Sequence, residues 1–188
     1  MPDDSTDALD EHLAVAQAVR GLLPAVDDVA RAVVGAYESG GRVIAFGNGG
    51  SAADAQHLAA ELVGRYTRER RPLAAVSLAT DPSIVTSIAN DYSFDDLFAR
   101  QVEALAAPGD MVVGITTSGR SENVVRGLAA ARAVGSTTVV LTGGDGRPAT
   151  EYADHALVVP SDTTARIQEM HLLLLHLIVD QVDAWAAG

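Results

Sequence analysis

Hydrophobic positions change their spacing near residue 40. Before that point they recur every three to four residues, over 9–23 and 26–37, which is the period of an amphipathic helix. Pro24 separates the two segments, because proline is poorly tolerated inside a helix. The pattern therefore predicts leading helices within residues 7–39, preceded by a short frayed segment at 1–6.

After residue 40, short apolar runs alternate with segments of helical length. Strands that are apolar on both sides and separated by helices indicate a parallel sheet covered on both faces. The prediction is a single α/β domain over 1–188, a three-layer sandwich of flavodoxin-like or Rossmann-like type with its α/β core at 40–188. Predicted strands are 42–46, 73–78, 111–116, 137–141 and 155–159, predicted helices are 52–65, 94–106, 122–134 and 163–185, and 84–89 fits either.

The last predicted helix is apolar around nearly its whole circumference between His171 and Val179. A surface helix would carry a polar stripe, so we expect this one to be buried on several sides, with part of the cover coming from another subunit. Asp180 and Asp183 end the apolar run well short of the roughly 20 residues that span a bilayer. We therefore expect no membrane partner.

Charge and residue usage exclude several kinds of chemistry. The formal net charge of -12 repels nucleic acid backbones, so we expect no direct nucleic acid partner. The chain has no cysteine, which removes thiol nucleophiles, and all 13 of its Lys+Arg residues are arginine, which removes Schiff-base chemistry and the P-loop lysine. The acidic start lacks the basic region of a secretory signal, and we expect a soluble cytoplasmic protein.

Two glycine- and serine-rich turns follow predicted strands, where parallel sheets bind their ligands. In the turn at 47–51, glycines allow the backbone to approach a phosphate, and the next helix presents free N–H groups. Its spacing also fits a dinucleotide fingerprint, but the nearest acid for a ribose, Asp81, comes too late. The turn at 116–121 offers four hydroxyls around one glycine, which suits a phosphate monoester; an ordinary helix cap is the alternative. Together they favour a sugar phosphate, without a nucleotide or organic cofactor.

Ionisable side chains occupy two of the predicted helices. His57 and Glu61 are four residues apart and share a face of the helix after the first turn, which Arg65 continues. On the final helix, Gln168 and His176 lie on broadly the same side, and we expect burial among leucines to keep the His176 imidazole neutral. A neutral imidazole near a carboxylate can transfer protons next to a carbonyl. An exposed ion pair and a core histidine are the alternatives.

Together these residues resemble the sugar isomerase (SIS) family, and within it the sedoheptulose 7-phosphate (phosphoheptose) isomerases. The resemblance covers nearly the whole chain and rests on the segments GNGGSAADAQH at 47–57, ELVGRY at 61–66, AND at 89–91, TSGRS at 117–121 and RIQEMH at 166–171. It implies the SIS fold, with leading and closing helices that pack between subunits. It also implies a homotetramer with active sites at subunit interfaces, and conversion of sedoheptulose 7-phosphate to D-glycero-D-manno-heptose 7-phosphate.

The resemblance also implies roles for individual positions. In the family, a glutamate matching Glu61 is the base and a histidine matching His176 is the acid, and they move protons between C1 and C2 through an enediol. Some members bind zinc through side chains that match His57, Glu61, Gln168 and His176, so a zinc site is left open here. Positions matching the family's substrate-binding residues are Asn48, Gly49, Gly50, Ser51, Arg65, Asn90, Asp91, Thr117, Ser118, Ser121 and Gln168. Of these, the three serines and Thr117 match the residues that hold the phosphate.

Two positions depart from the family pattern. Arg120 stands where asparagine is usual, and Ala165 where many heptose isomerases carry an aspartate. The segment 165–171 instead looks like that of SIS proteins that bind the replication initiator protein and are not known as isomerases. An adaptor of that kind and a sugar-phosphate sensor are therefore the alternatives, although a pure binding protein has no chemical need for Glu61 and His176.

Overall fold

A computed structural model describes residues 5–188, and its strands form one parallel sheet. The strands are β1 (Val43–Gly47), β2 (Ala75–Ser77), β3 (Met111–Ile115), β4 (Thr137–Gly143) and β5 (His155–Val159), in the order β2-β1-β3-β4-β5. The α-helices of the described residues are α1 (Ser5–Ala18), α2 (Leu23–Glu38), α3 (Gly50–Val63), α4 (Pro82–Asp91), α5 (Leu97–Leu105), α6 (Glu122–Val134) and α7 (Thr164–Ala187). The predicted α/β class with a parallel sheet between helices is confirmed.

Alternating side chains of β1 enter two separate hydrophobic clusters, one on each face of the sheet. Val43 and Ala45 join the cluster that includes Leu58 of α3 and Leu174 of α7. Ile44 and Phe46 join the other cluster, which contains residues of α4, α5 and α6. This alternation is the period of two of a strand, and it explains why every residue of β1 is buried.

The leading helices differ from the prediction at their boundary. A short 3-10 helix, Val19–Leu22, joins α1 to α2, and Pro24 lies in the first turn of α2. Proline is well tolerated there because its missing N–H would have no intrahelical partner. Of the segment 1–6 that was expected to be frayed, residues 1–4 lie outside the described residues, while Ser5 and Thr6 belong to α1.

The ambiguous segment at 84–89 lies within helix α4. The carboxylate of Asp81 accepts hydrogen bonds from the backbone N–H groups of Ser83 and Ile84, at 2.8 and 3.1 Å, and Pro82 begins the helix. An aspartate N-cap followed by proline is a strong helix start, which decides the assignment. Asp81 is therefore a capping residue.

Helix α7 packs against α2, α3, β4 and β5. Leu174, Leu175 and Ile178 are buried, whereas Leu173 is 38% exposed. The helix is thus covered on several sides within one chain, as expected, and cover from another subunit stays a prediction. No helix among residues 5–188 is long and apolar enough to cross a membrane.

Candidate active site

The first turn is a close junction between β1, β3 and α7. A Cβ on Gly47 would lie 2.8 Å from the Ile115 carbonyl oxygen, and one on Gly50 would lie 2.3 Å from Nε2 of Gln168. Gly49 has φ +56°, a conformation that favours glycine. The amide of Gln168 therefore lies directly against the amino end of α3, beside the buried Ser51.

Asn48 links the first turn to the second. It exchanges two side-chain hydrogen bonds with Asn123, at 2.8 and 2.9 Å, and Asn123 is only 2% exposed. Asn123 lies in the first turn of α6, just after Ser121. No sequence motif pointed to Asn123, because the partner that a buried amide needs lies 75 positions away.

The second turn arranges its hydroxyls in two groups. The Oγ1 of buried Thr116 and the Oγ of Ser121 are 3.1 Å apart and satisfy each other. The Oγ of Ser118 accepts a 3.2 Å hydrogen bond from the backbone N–H of Arg120. Gly119, at φ +69°, packs so tightly that a Cβ would lie 2.4 Å from the carbonyl carbon of Gly146.

Thr117 and Ser118 open onto a cavity of about 360 Å³. Arg120 also lines it, and its Nη2 lies 3.2 Å from Oδ2 of Asp145 across the rim. Both side chains of this ion pair are largely exposed, so the arginine is free to move toward an anion at little cost. The cavity lining is completed by Gly144, Asp162, Thr164 and Ile167.

The titratable groups of α3 and α7 meet in one cluster. Nε2 of His57 lies 3.2 Å from Oε1 of Glu61 and 3.1 Å from Nε2 of His176. One donor atom from each of the three residues lies within 4.8 Å of the others, and all three residues are partly buried. Residues 119 positions apart in the sequence thus form one group that can donate and accept protons.

The same three residues could hold a metal ion. Zinc in proteins favours imidazole nitrogen and carboxylate oxygen at about 2.0–2.2 Å, which in a tetrahedron puts neighbouring donors roughly 3.3 Å apart. The separations of 3.1 and 3.2 Å around His57 fit that geometry. Gln168, the fourth side chain that the family resemblance implies for zinc, lies against Gly50 at the first turn.

An aromatic ring covers the acid-base cluster. The rings of Tyr66 and His176 are stacked, with centroids 5.4 Å apart and planes at 25°. Tyr66 lies in the loop after α3 and is partly buried. Tyr66 ends the segment ELVGRY at 61–66, and nothing in the sequence pattern predicted its place beside His176.

His171 is fully buried on α7, whereas His176, which was expected to be buried among leucines, is buried only in part. His171 is 0% exposed, its Nε2 donates to the carbonyl oxygen of Thr142 at 3.2 Å, and its Nδ1 has no partner among the described residues. Burial lowers the pKa of His171 to about 4. His176 is only partly buried and faces His57.

Asp54, on α3, is a second partly buried titratable group, and it was not among the predicted site residues. Its Oδ2 is buried without a hydrogen-bond partner among the described residues. Burial raises the pKa of Asp54 to about 6, against the attraction of His57 one turn along α3. Asp54 stands within the segment GNGGSAADAQH that carries the family resemblance, but an aspartate at an i, i+3 spacing from a histidine is usually solvated, so the spacing suggests no role for it.

Three predicted site residues lie away from the cluster. Arg65 is exposed and its Nε lies 3.7 Å from Glu69. Asn90 and Asp91, at the end of α4, are exposed and bond to each other at 2.7 Å. Within residues 5–188 no hydrogen bond or ion pair joins these three side chains to the cluster.

Comparisons with known proteins agree with this architecture. The SIS domain family model matches residues 10–143. A phosphoheptose isomerase of Aquifex aeolicus is 54% identical over 156 residues, which cover 83% of this chain and 82% of the relative. One of Pelobacter propionicus is 50% identical over 184 residues, or 97% of each chain.

A solved structure extends the similarity to three dimensions. Phosphoheptose isomerase GmhA from Neisseria gonorrhoeae has a TM-score of 0.91 to this structure at 41% identity, over 95% of this chain and 96% of that chain. Sequence and structure therefore give the same assignment. The chain belongs to the SIS domain family and, within it, to the phosphoheptose isomerases.

Proposed function

We propose that this chain is an aldose-ketose isomerase that converts sedoheptulose 7-phosphate to D-glycero-D-manno-heptose 7-phosphate. The observation that carries the proposal is the meeting of Glu61 and His176, from different helices, around His57. Relatives about half identical over most of this chain are phosphoheptose isomerases, which supports the same reaction.

Glu61 is the base of the proposed reaction. In the open-chain ketose its carboxylate removes a proton from C1, and the electron pair forms the C1–C2 double bond of an enediol. The protonated Glu61 then returns a proton to C2, which gives the aldose. A single carboxylate can serve both carbons because they are adjacent, and its partly buried position shields the exchanged proton from solvent.

His176 is the proposed acid. Its imidazole donates a proton to O2 as the enediol forms and takes the proton of O1 as the aldehyde appears, so protons balance over the cycle. The Tyr66 ring holds the imidazole in one plane. His57 lies between the two groups and can hydrogen-bond to either.

The two turns bind the phosphate in this proposal. The hydroxyls of Ser51, Thr117, Ser118 and Ser121, with the free N–H groups at the starts of α3 and α6, surround the phosphate oxygens without a lysine. The backbone of Gly49 and Gly50 gives close approach. Asn48, held by Asn123, and Gln168, against Gly50, contact the sugar chain.

His57, Glu61, His176 and Gln168 would hold a zinc ion. When bound, zinc polarises a substrate carbonyl as a Lewis acid. The donor separations of 3.1 and 3.2 Å support this part of the proposal. Removing metal with a chelator and measuring bound zinc by atomic emission tests it independently of activity.

We further propose a homotetramer whose subunits complete one another's sites. The exposed positions of Arg65, Asn90 and Asp91, and the exposed leucine Leu173 of α7, support it, because such residues gain partners on assembly. We also propose a cytoplasmic location, because a phosphorylated sugar does not cross a bilayer and the enzyme must be where its substrate is.

The proposal is tested by incubating the purified protein with sedoheptulose 7-phosphate and following the products by NMR. An aldose heptose 7-phosphate is expected, with or without added zinc. If neither condition yields an aldose phosphate, the isomerase proposal fails.

A further inference from the structure

Arg70 and Asp183 form a buried ion pair close to the carboxyl end of α3. Both side chains are 0% exposed, and Nε of Arg70 lies 2.8 Å from Oδ1 of Asp183. Removing two charges from water is costly, and apolar residues of similar volume are often no less stable. Stability alone therefore does not account for the pair, whose other hydrogen bonds hold two segments of backbone in place.

Arg70 fastens the end of the helix that carries Glu61. Its Nη2 donates to the backbone carbonyl of Glu61 at 2.6 Å, and its Nη1 to the carbonyls of Leu62 and Arg71, both at 2.9 Å. The last carbonyls of a helix lack intrahelical partners and attract positive charge. The guanidinium of Arg70 supplies both the hydrogen-bond donors and the positive charge. It therefore fixes the backbone from which the Glu61 side chain extends.

Asp183 fastens the loop that follows. Its carboxylate accepts hydrogen bonds from the backbone N–H groups of Tyr66, Thr67 and Arg68, at 3.3, 3.1 and 2.7 Å. Burial alone would raise the pKa of Asp183, but these bonds and Arg70 lower it to about 2, so it is ionised near neutral pH. The loop cannot shift without breaking charge-assisted bonds.

The loop and α7 connect Asp183 to His176, the proposed acid. Tyr66 stacks on His176, and His176 lies seven residues before Asp183, on the same face of α7. Asp183 thus holds the backbone of Tyr66 while sharing a rigid helix with His176.

We propose that Arg70 and Asp183 are positioning residues that set the relative placement of Glu61 and His176. Arg70 acts on Glu61 through its backbone carbonyl, and Asp183 acts on His176 through the ring of Tyr66. Neither side chain reaches solvent, so neither contacts the substrate. The inference rests on the proposed function, because it gives the pair a task in that reaction.

The test compares Asp183→Asn and Arg70→Lys with the wild type. Because a displacement of about 1 Å costs up to 100-fold in rate, we expect kcat to fall about 10- to 100-fold while KM changes less than about 3-fold. The NMR signal of the His176 Cε1 proton is expected to move, since the Tyr66 ring current acts on it. Tyr66→Leu calibrates the direction of that movement.

Asp180→Asn is the matched control. Asp180 lies on α7 three residues before Asp183 and pairs with Arg68 at 2.7 Å, but it is half exposed. We expect this variant to keep both kcat and the His176 signal. A loss of the same size in Asp180→Asn would show that the effect is not specific to the buried pair, and would overturn the proposal.

Two further outcomes are decisive. Arg70→Lys keeps the positive charge facing Asp183, but one ammonium cannot reach the three carbonyls that the guanidinium contacts. If Asp183→Asn does not fold, kcat and the His176 signal of Arg70→Lys therefore test the positioning role. Folded variants with kcat within about 2-fold of the wild type and an unmoved His176 signal would overturn the positioning role, because a 1 Å shift should cost far more. If the wild type itself lacks isomerase activity, the proposed function fails, and the His176 signal alone then decides about the pair.

Discussion

Two regions of the molecule differ in whether their proposed functional side chains meet within one chain. One is the crossing of α3 and α7, and the other is the exposed end of α4. At the crossing, Glu61, His57 and His176 meet within hydrogen-bond distance and are partly buried. At the end of α4, Asn90 and Asp91 are exposed, and among residues 5–188 their side chains hydrogen-bond only to each other. Groups proposed for proton transfer are thus assembled inside the subunit, whereas two of the groups proposed for sugar binding, Asn90 and Asp91, lie exposed on its surface.

This difference separates two kinds of expected effect. Changes at the crossing should alter the chemical step or the stability of the single chain, because its groups already touch each other. Changes at the end of α4 should alter substrate binding, and only in the assembled protein.

The largest effect is expected for His176→Gln at the crossing. Removing a positioned acid typically costs about 10²- to 10⁴-fold, so kcat should fall by that order while KM changes little. His12→Gln, a histidine paired with Glu169 at 2.7 Å outside the crossing, is the control. Steady-state kinetics by NMR measure both. A His176→Gln variant with wild-type kcat would remove the acid from the account.

Stability should depend on pH through His171, the buried histidine of α7. Its pKa of about 4 in the folded state is below the 6.5 of an unperturbed histidine, so the unfolded chain binds the proton more tightly. The free energy of unfolding therefore falls as pH drops from 6.5 toward 4. Between pH 7.5 and pH 5 the wild type should lose about 2 kcal/mol through this residue, and His171→Gln should not.

Urea unfolding at the two pH values, at equal protein concentration, measures this loss. His155→Gln, a partly buried histidine on β5, is the control and should keep the wild-type dependence. An identical loss in His171→Gln and wild type would contradict the buried neutral assignment.

At the end of α4, Asp91→Asn should weaken sugar binding. Losing one charged contact is worth about 1.4 kcal/mol, so KM should rise about 10-fold with a smaller change in kcat. Glu103→Gln, an exposed acid on α5, controls for surface charge. An unchanged KM would mean that this end of the molecule contributes nothing to the site.

The smallest effect is expected for Asp54→Asn. The folded pKa of about 6 exceeds the usual aspartate pKa of 3.8, so the folded chain holds the proton more tightly, and stability is lost as pH rises from about 4 to 6. The free energy of unfolding of Asp54→Asn minus that of the wild type should therefore be larger at pH 7.5 than at pH 4. After allowance for solvent screening, we expect this difference to grow by about 1 kcal/mol between the two pH values. Equal stability differences at both pH values would argue against a buried, unpaired carboxyl.

The sheet and most helices could be predicted from local pattern, because strands covered on both faces read as apolar runs. The helix α4 was ambiguous only because the capping signal of Asp81 and Pro82 was not used. The orientation of α7 could not be predicted, since a helix that is apolar on all sides has no periodic face. The contacts of α7 in the fold decide that His171 is fully buried and His176 only partly buried.

The candidate site was predictable in part. The pair His57 and Glu61 follows from helical spacing, while the approach of His176 depends on how α3 and α7 cross. Contacts such as Asn48 with Asn123 and Arg70 with Asp183 join residues 75 and 113 positions apart, and no local pattern specifies them. Family resemblance supplied the roles of Arg65, Asn90 and Asp91, which one chain leaves exposed.

The most direct measurement compares Glu61→Gln with Glu69→Gln in the conversion of sedoheptulose 7-phosphate followed by NMR. Glu69 is eight residues along the chain, and its side chain is 92% exposed, so it matches the change without touching the cluster. The account predicts that Glu61→Gln lowers kcat about 10²- to 10⁴-fold and that Glu69→Gln leaves it unchanged. Wild-type kcat in a folded Glu61→Gln protein would contradict it.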